Sequence, residues 1–151
     1  MALEPPKSRL RVDKLVPHVM AAMESLEDAG DKLSLPLDLL ELVRVRVSQV
    51  NNCAFCVHAH HQAALDAGVS ATKLAALPVW REAPFYDDRE RAALEVGEAL
   101  TNVNVESVGD DVWARAGEHF TEVELAELTW AVAIINVWNR IAGGARPWPV
   151  S

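Results

Sequence analysis

The chain has 151 residues, long enough for one domain with its own core and short for two. Its 14 Lys and Arg against 22 Asp and Glu leave a net charge of -8, and no stretch gathers basic residues into a stripe able to neutralise phosphates, so a nucleic-acid partner is not expected. The first residues lack the apolar core of a signal peptide, and no run reaches the roughly 18 apolar residues that span a bilayer; no membrane association and a cytoplasmic location are expected.

Apolar residues recur at helical spacing almost throughout, with no internal repeat and no low-complexity segment. A first helix is predicted from about Pro17 to Ala29, with Val19, Met20, Met23 and Leu26 on one side and Gly30 ending it. Pro36 suits the opening of a second, through Val50, although Val43, Arg44, Val45, Arg46 and Val47 alternate as a half-buried strand would. A third runs from near Cys53 to Gly68, and Ser70 caps a short helix reaching Leu77. After a connector from Pro78, Asp87 and Glu90 form a capping-box start for a helix reaching about Val103. A short helix is predicted over Asp110 to His119. Thr121 with Glu124 repeats the capping pattern and opens the most apolar helix, which runs to Gly144 and is followed by an extended tail. The expectation is an all-α, single-domain chain (residues 1–151) of about seven helices. The last helix is apolar around most of its circumference, which fits either a central core helix or a subunit interface.

The chemistry concentrates in "NNCAFCVHAHH", which holds both cysteines of the chain and three of its five histidines. At 100° per residue, with Cys53 at zero, Cys56 lies near about 300° and His60 near about 340°, so the three share a helix face. His58 points the other way and His61 to the side, which places both at the surface; His18 and His119 stand apart and read as structural. A zinc site needs four donors within roughly 2.0 to 2.3 Å, whereas Cys53 and His60 are separated by about 10 Å of helical rise, and no second CxxC or HxxxH completes the set. Metal is therefore disfavoured. A purely structural disulfide is disfavoured too, because closing so short a loop removes little chain entropy. A redox role needs less: two cysteines in the first turn of a helix, where unpaired N–H groups favour the thiolate, with an imidazole one turn beyond. One cysteine can then resolve an oxidised form of the other. Glu41 is the second candidate. It lies in "LDLLELV", among residues that favour burial; a buried carboxyl with a raised pKa could relay a proton, while an ordinary surface residue paired with Arg44 is the competing reading. Trp80 and Trp138, each followed by charged or polar residues, could line an entrance but are favoured as interface anchors.

Glu41, eleven residues, Cys53-Ala-Phe-Cys56, three residues and His60 together resemble the E-x11-CxxC-x3-H signature of the alkylhydroperoxidase D-like (AhpD-like) branch of the carboxymuconolactone decarboxylase family. The segments "LVRVRVSQVNNCAFCVHAH", "LPVWREAPFYDDRERAALEVGEALT" and "HFTEVELAELTWAVAIINVWNRI" are similar to successive blocks of that family, over about residues 15–142. The resemblance implies an AhpD-like helical bundle, with the segment around Val45 helical, that assembles as a homo-oligomer, commonly a trimer or hexamer. It implies thiol-dependent reduction of hydroperoxides without metal, haem or flavin cofactor. It further implies Cys56 as the peroxidatic thiol, Cys53 as the resolving thiol, Glu41 and His60 as a proton relay, and a dithiol reductant that can be a lipoylated protein. The residues themselves leave the two thiol roles open, since the helix dipole alone favours Cys53 as the more acidic. There is one departure: the best-studied family members carry a second histidine directly before the second cysteine, and here that position is Phe55, although an aromatic there is also familiar in the family. Two other classes remain in play. Lactone decarboxylation, which named the family, does not call for a cysteine pair, and a non-enzymatic CxxC redox sensor would use the same disulfide as a switch.

Overall fold

The computed structural model describes residues 7–147, and among these eight α-helices and one 3-10 turn occur, with no strand. They are α1 (Val12–Leu15), α2 (Pro17–Gly30), α3 (Leu37–Val50), α4 (Ala54–Asp66), α5 (Ala71–Ala76), the 3-10 turn (Leu77–Val79), α6 (Asp88–Thr101), α7 (Asp110–Gly117) and α8 (Glu122–Ala145). The all-α class and the order of elements agree with the sequence. The single turn of α1, which buries no residue, was not anticipated. Of the expected extended tail, Ala145 belongs to α8, Arg146 takes a left-handed conformation, and residues 148–150 lie outside the described residues.

Local chemistry starts the helices where expected. Ser70 accepts from the Lys73 N–H, and both capping boxes, Asp87 with Glu90 and Thr121 with Glu124, are formed. Each satisfies backbone donors that a helix start leaves open. Gly68 turns the chain after α4 at φ 98°, a conformation that would strain a residue with a Cβ.

The alternation of Val43 through Val47 is resolved as helix, and the packing explains why it looked ambiguous. α3 is buried on two sides. Leu39, Leu40, Val43 and Val47 enter one apolar cluster with Val96 of α6 and Leu128, Val132 and Ile135 of α8, and this cluster also contains both cysteines. Leu42 and Val45 enter a second cluster with Ala64, Leu74, Leu77, Trp80, Tyr86 and Leu94. Residues two apart on α3 therefore both face apolar surroundings, which removes the 3.6-residue signature. Gly97 lets α6 approach α3 closely, since a Cβ there would sit 3.1 Å from Val43.

Trp80 is not an interface anchor. It is buried, its Nε1 donates to Glu98 at 2.8 Å, and Arg46 and Arg81 each reach the same carboxylate at 2.6 Å. This knot fastens the connector between α5 and α6 onto α3. α8 is the central helix, in contact with α2, α3, α4, α6 and α7, while Trp130 and Val137 on it stay exposed. No helix among the described residues is long and apolar enough to cross a membrane.

Candidate functional site

Cys53 is the N-cap of α4, not a residue of its first turn. It has extended backbone angles, and its sulfur accepts from the Cys56 N–H at 3.3 Å. The N-cap position swings the first sulfur back over the helix end, and Cys53 and Cys56 are joined as a disulfide with Cα atoms 5.3 Å apart. Both are buried. A thiolate released there lies among open backbone N–H groups at the positive end of a 13-residue helix.

The tight turn between α3 and α4 depends on Asn52, which adopts φ 54°, a left-handed conformation that Asn tolerates better than most residues. A buried amide network holds this turn against α8. Asn51 donates to Asn136 (2.9 Å) and Asn139 (2.8 Å), Asn139 donates to the Ser48 hydroxyl (3.0 Å), and the Cys53 N–H closes onto the Ser48 carbonyl (3.0 Å).

Glu41 is buried, with 4% of its surface exposed, and its two oxygens are shared between two partners. Oε1 accepts from Arg44 at 2.6 Å, and Oε2 lies 2.8 Å from Nδ1 of His60. Both readings of the sequence are thus corrected in part. The Arg44 pair exists but is buried, and the carboxyl is not raised. Burial by itself pushes its pKa up, but the hydrogen bonds and charges of His60 and Arg44 outweigh this and leave the group below the ordinary carboxylate value. Glu41 is an anion at neutral pH. With a carboxylate on Nδ1, the His60 ring donates there and presents Nε2 as its basic nitrogen.

Cys56 and His60 line a cleft of about 280 Å³ whose other walls are Glu27, Phe55, Ala59, Trp138 and Ala142. The structure therefore gathers all four sequence candidates, Glu41, Cys53, Cys56 and His60, around the N-terminal half of α4, with Cys56 and His60 on the cleft. His58 and His61 are exposed, as their azimuths predict. His18, read as structural, is exposed as well. Trp138 lines the cleft, in line with the entrance reading of the two the sequence offered, and its Nε1 donates to Glu27. Glu27 and the Ser48–Asn51–Asn139 network were missed. No local pattern marks Glu27, which arrives from α2, and the Ser48–Asn139 contact spans 91 residues. No group of three or more His, Cys, Asp or Glu side chains among the described residues is arranged to hold a metal ion.

Comparison with known proteins adds three findings. The model of the carboxymuconolactone decarboxylase family matches residues 17–99. An uncharacterised protein of Bacillus subtilis, YdfG, is 34% identical over 134 residues, which cover 89% of this chain and 91% of that protein. Among solved structures, a protein of unknown function from Agrobacterium tumefaciens, provisionally named an antioxidant defence protein AhpD, superposes with a TM-score of 0.92 at 34% identity, covering 96% of this chain and 100% of that one. An uncharacterised peroxidase-related protein from Ralstonia eutropha with an alkylhydroperoxidase AhpD core superposes at 0.79 with 22% identity, over 93% of this chain and 75% of that one, and shares the fold.

Proposed function

We propose that this chain, which belongs to the AhpD-like branch of the carboxymuconolactone decarboxylase family, is a thiol-dependent peroxidase that reduces organic hydroperoxides through its CxxC pair. The observation that carries the reading is the placement of Cys56 and His60 on one cleft, with the imidazole held from behind by the buried Glu41 carboxylate. A thiol, a base and an orienting anion in series are the parts that nucleophilic thiol chemistry needs.

In the proposed cycle the dithiol form is the reactive one. His60 Nε2 takes the proton of the Cys56 thiol, and the thiolate attacks one oxygen of the peroxide. The S–O bond forms as the O–O bond breaks, and the departing alkoxide recovers a proton from the imidazolium, giving a sulfenic acid on Cys56 and an alcohol. The Cys53 thiol then displaces water from that sulfenic acid and closes the disulfide. A reduced dithiol, such as a dihydrolipoyl group, reopens it by exchange and leaves as its own disulfide. Glu41 orients the ring throughout. Phe55, standing where relatives place a second histidine, lends the cleft an apolar wall instead of another base. Assignment of the peroxidatic role to Cys56 is supported by its place on the cleft, of which Cys53 is not a wall.

Exposed Leu15, Val19, Trp130 and Val137 along α1, α2 and α8 suit burial against further copies of the chain, in keeping with a trimer or hexamer acting in the cytoplasm. Peroxide consumption with dihydrolipoamide as reductant tests the catalytic reading. The wild type should turn over repeatedly, C56S should be inactive, and C53S should accumulate a sulfenic acid trappable by dimedone. Activity retained by C56S and lost in C53S would reverse the two roles, and a single oxidation without turnover would favour a sensor. Turnover of a carboxymuconolactone by the double serine variant would restore the decarboxylase alternative.

A further inference from the structure

We propose that Arg44 is a positioning residue for this reaction: it fixes Glu41 as an anion, so that the proton leaving Cys56 comes to rest on His60 and goes no further. The inference rests on the reading of Cys56 and His60 as the reacting pair.

The geometry behind it is the division of one carboxylate between two donors. Arg44 lies one turn from Glu41 on α3, its side chain is 6% exposed and that of Glu41 5%, and the guanidinium takes Oε1 while the imidazole takes Oε2. Suppose the proton passed on from His60 to Glu41. The carboxyl would become neutral, and a buried guanidinium would lose its counter-charge, which is among the more costly arrangements a protein interior can adopt. The charged groups around the pair are Arg44 on the same helix, His60 facing from α4, and Glu27 on α2, which lines the cleft beside His60. In the transfer itself the S–H bond of Cys56 breaks, an N–H bond forms at Nε2 of His60, and the charge pair thiolate and imidazolium results, with Glu41 unchanged.

The test uses C53S, in which Cys56 is the sole remaining thiol of a chain with two cysteines. The rate of its alkylation by iodoacetamide, followed against pH, reports the thiolate. Adding R44Q, which keeps hydrogen-bond donors but removes the charge, should move the midpoint of this profile up by about one pH unit. R44K, which restores a charge, should return it most of the way. An unmoved midpoint in folded R44Q overturns the proposal. Infrared difference spectra of C53S across the midpoint give a second measurement with Arg44 intact. No protonated-carboxyl band should appear; a band that does appear and is lost in E41Q overturns the proposal whether or not R44Q folds. Lack of peroxide turnover by the wild type, with the R44Q shift present, would remove the peroxidase reading and still support this role for Arg44.

Discussion

Replacing Asn139 by Leu removes the residue through which α8 grips the turn that carries Cys53. Asn139 is 4% exposed and makes two hydrogen bonds, accepting from Asn51 at 2.8 Å and donating to the fully buried Ser48 at 3.0 Å. Each is worth about 1 kcal/mol net, and a buried group left without its partner adds about 1 to 3 kcal/mol. Asn51 keeps its second acceptor, Asn136, so the added penalty falls mainly on Ser48. Leu has the branching of Asn but is larger, and the apolar gain on its burial offsets part of the loss. The expected net cost is about 2 kcal/mol, read as a lower urea midpoint at unchanged slope. The effect should also be local. The Cys53 N–H, bonded to the Ser48 carbonyl, should exchange with deuterium faster relative to amides in α6, which do not depend on the turn. A stability within about 0.5 kcal/mol of wild type, together with unchanged protection at Cys53, would refute the view that this network holds the redox turn.

Two further outcomes test other parts of the site. Glu41 is held below the ordinary carboxylate value of 4.5 in the folded chain, so its contribution to stability is complete above that value and is lost as pH falls through the folded one; the urea stability of wild type should exceed that of E41Q by about 3 kcal/mol at neutral pH, with the gap closing on acidification. A gap that is constant with pH would show that the carboxylate's charge is not what stabilises. Asn52→Val should cost about 1 to 2 kcal/mol because a β-branched residue resists φ 54°, whereas Asn52→Gly should remain within about 0.5 kcal/mol of wild type, both measured by thermal or urea unfolding.

The sequence by itself determined the features that rest on contacts within a helical turn or two. Ser70, the Asp87–Glu90 and Thr121–Glu124 boxes and the turn at Gly68 are interactions spanning a few residues, so the order of residues nearly specifies them. The common face of Cys56 and His60, and the outward direction of His58 and His61, follow from helix periodicity alone. Tertiary structure decided the rest. Whether the Glu41–Arg44 pair lies in water or in the core depends on the helices that cover α3, and the direction of the Glu41 pKa was decided by His60, brought in from α4, together with Arg44, whose hydrogen bonds and charges outweigh burial. Trp80 and Trp138 are alike in sequence context, yet one is buried and ties the connector to Glu98 while the other walls the cleft. Glu27 and Asn139 come from helices far along the chain. A hydrogen bond across 91 residues leaves no trace in local pattern, because its energy depends on where distant helices pack and not on which residues are neighbours in the chain.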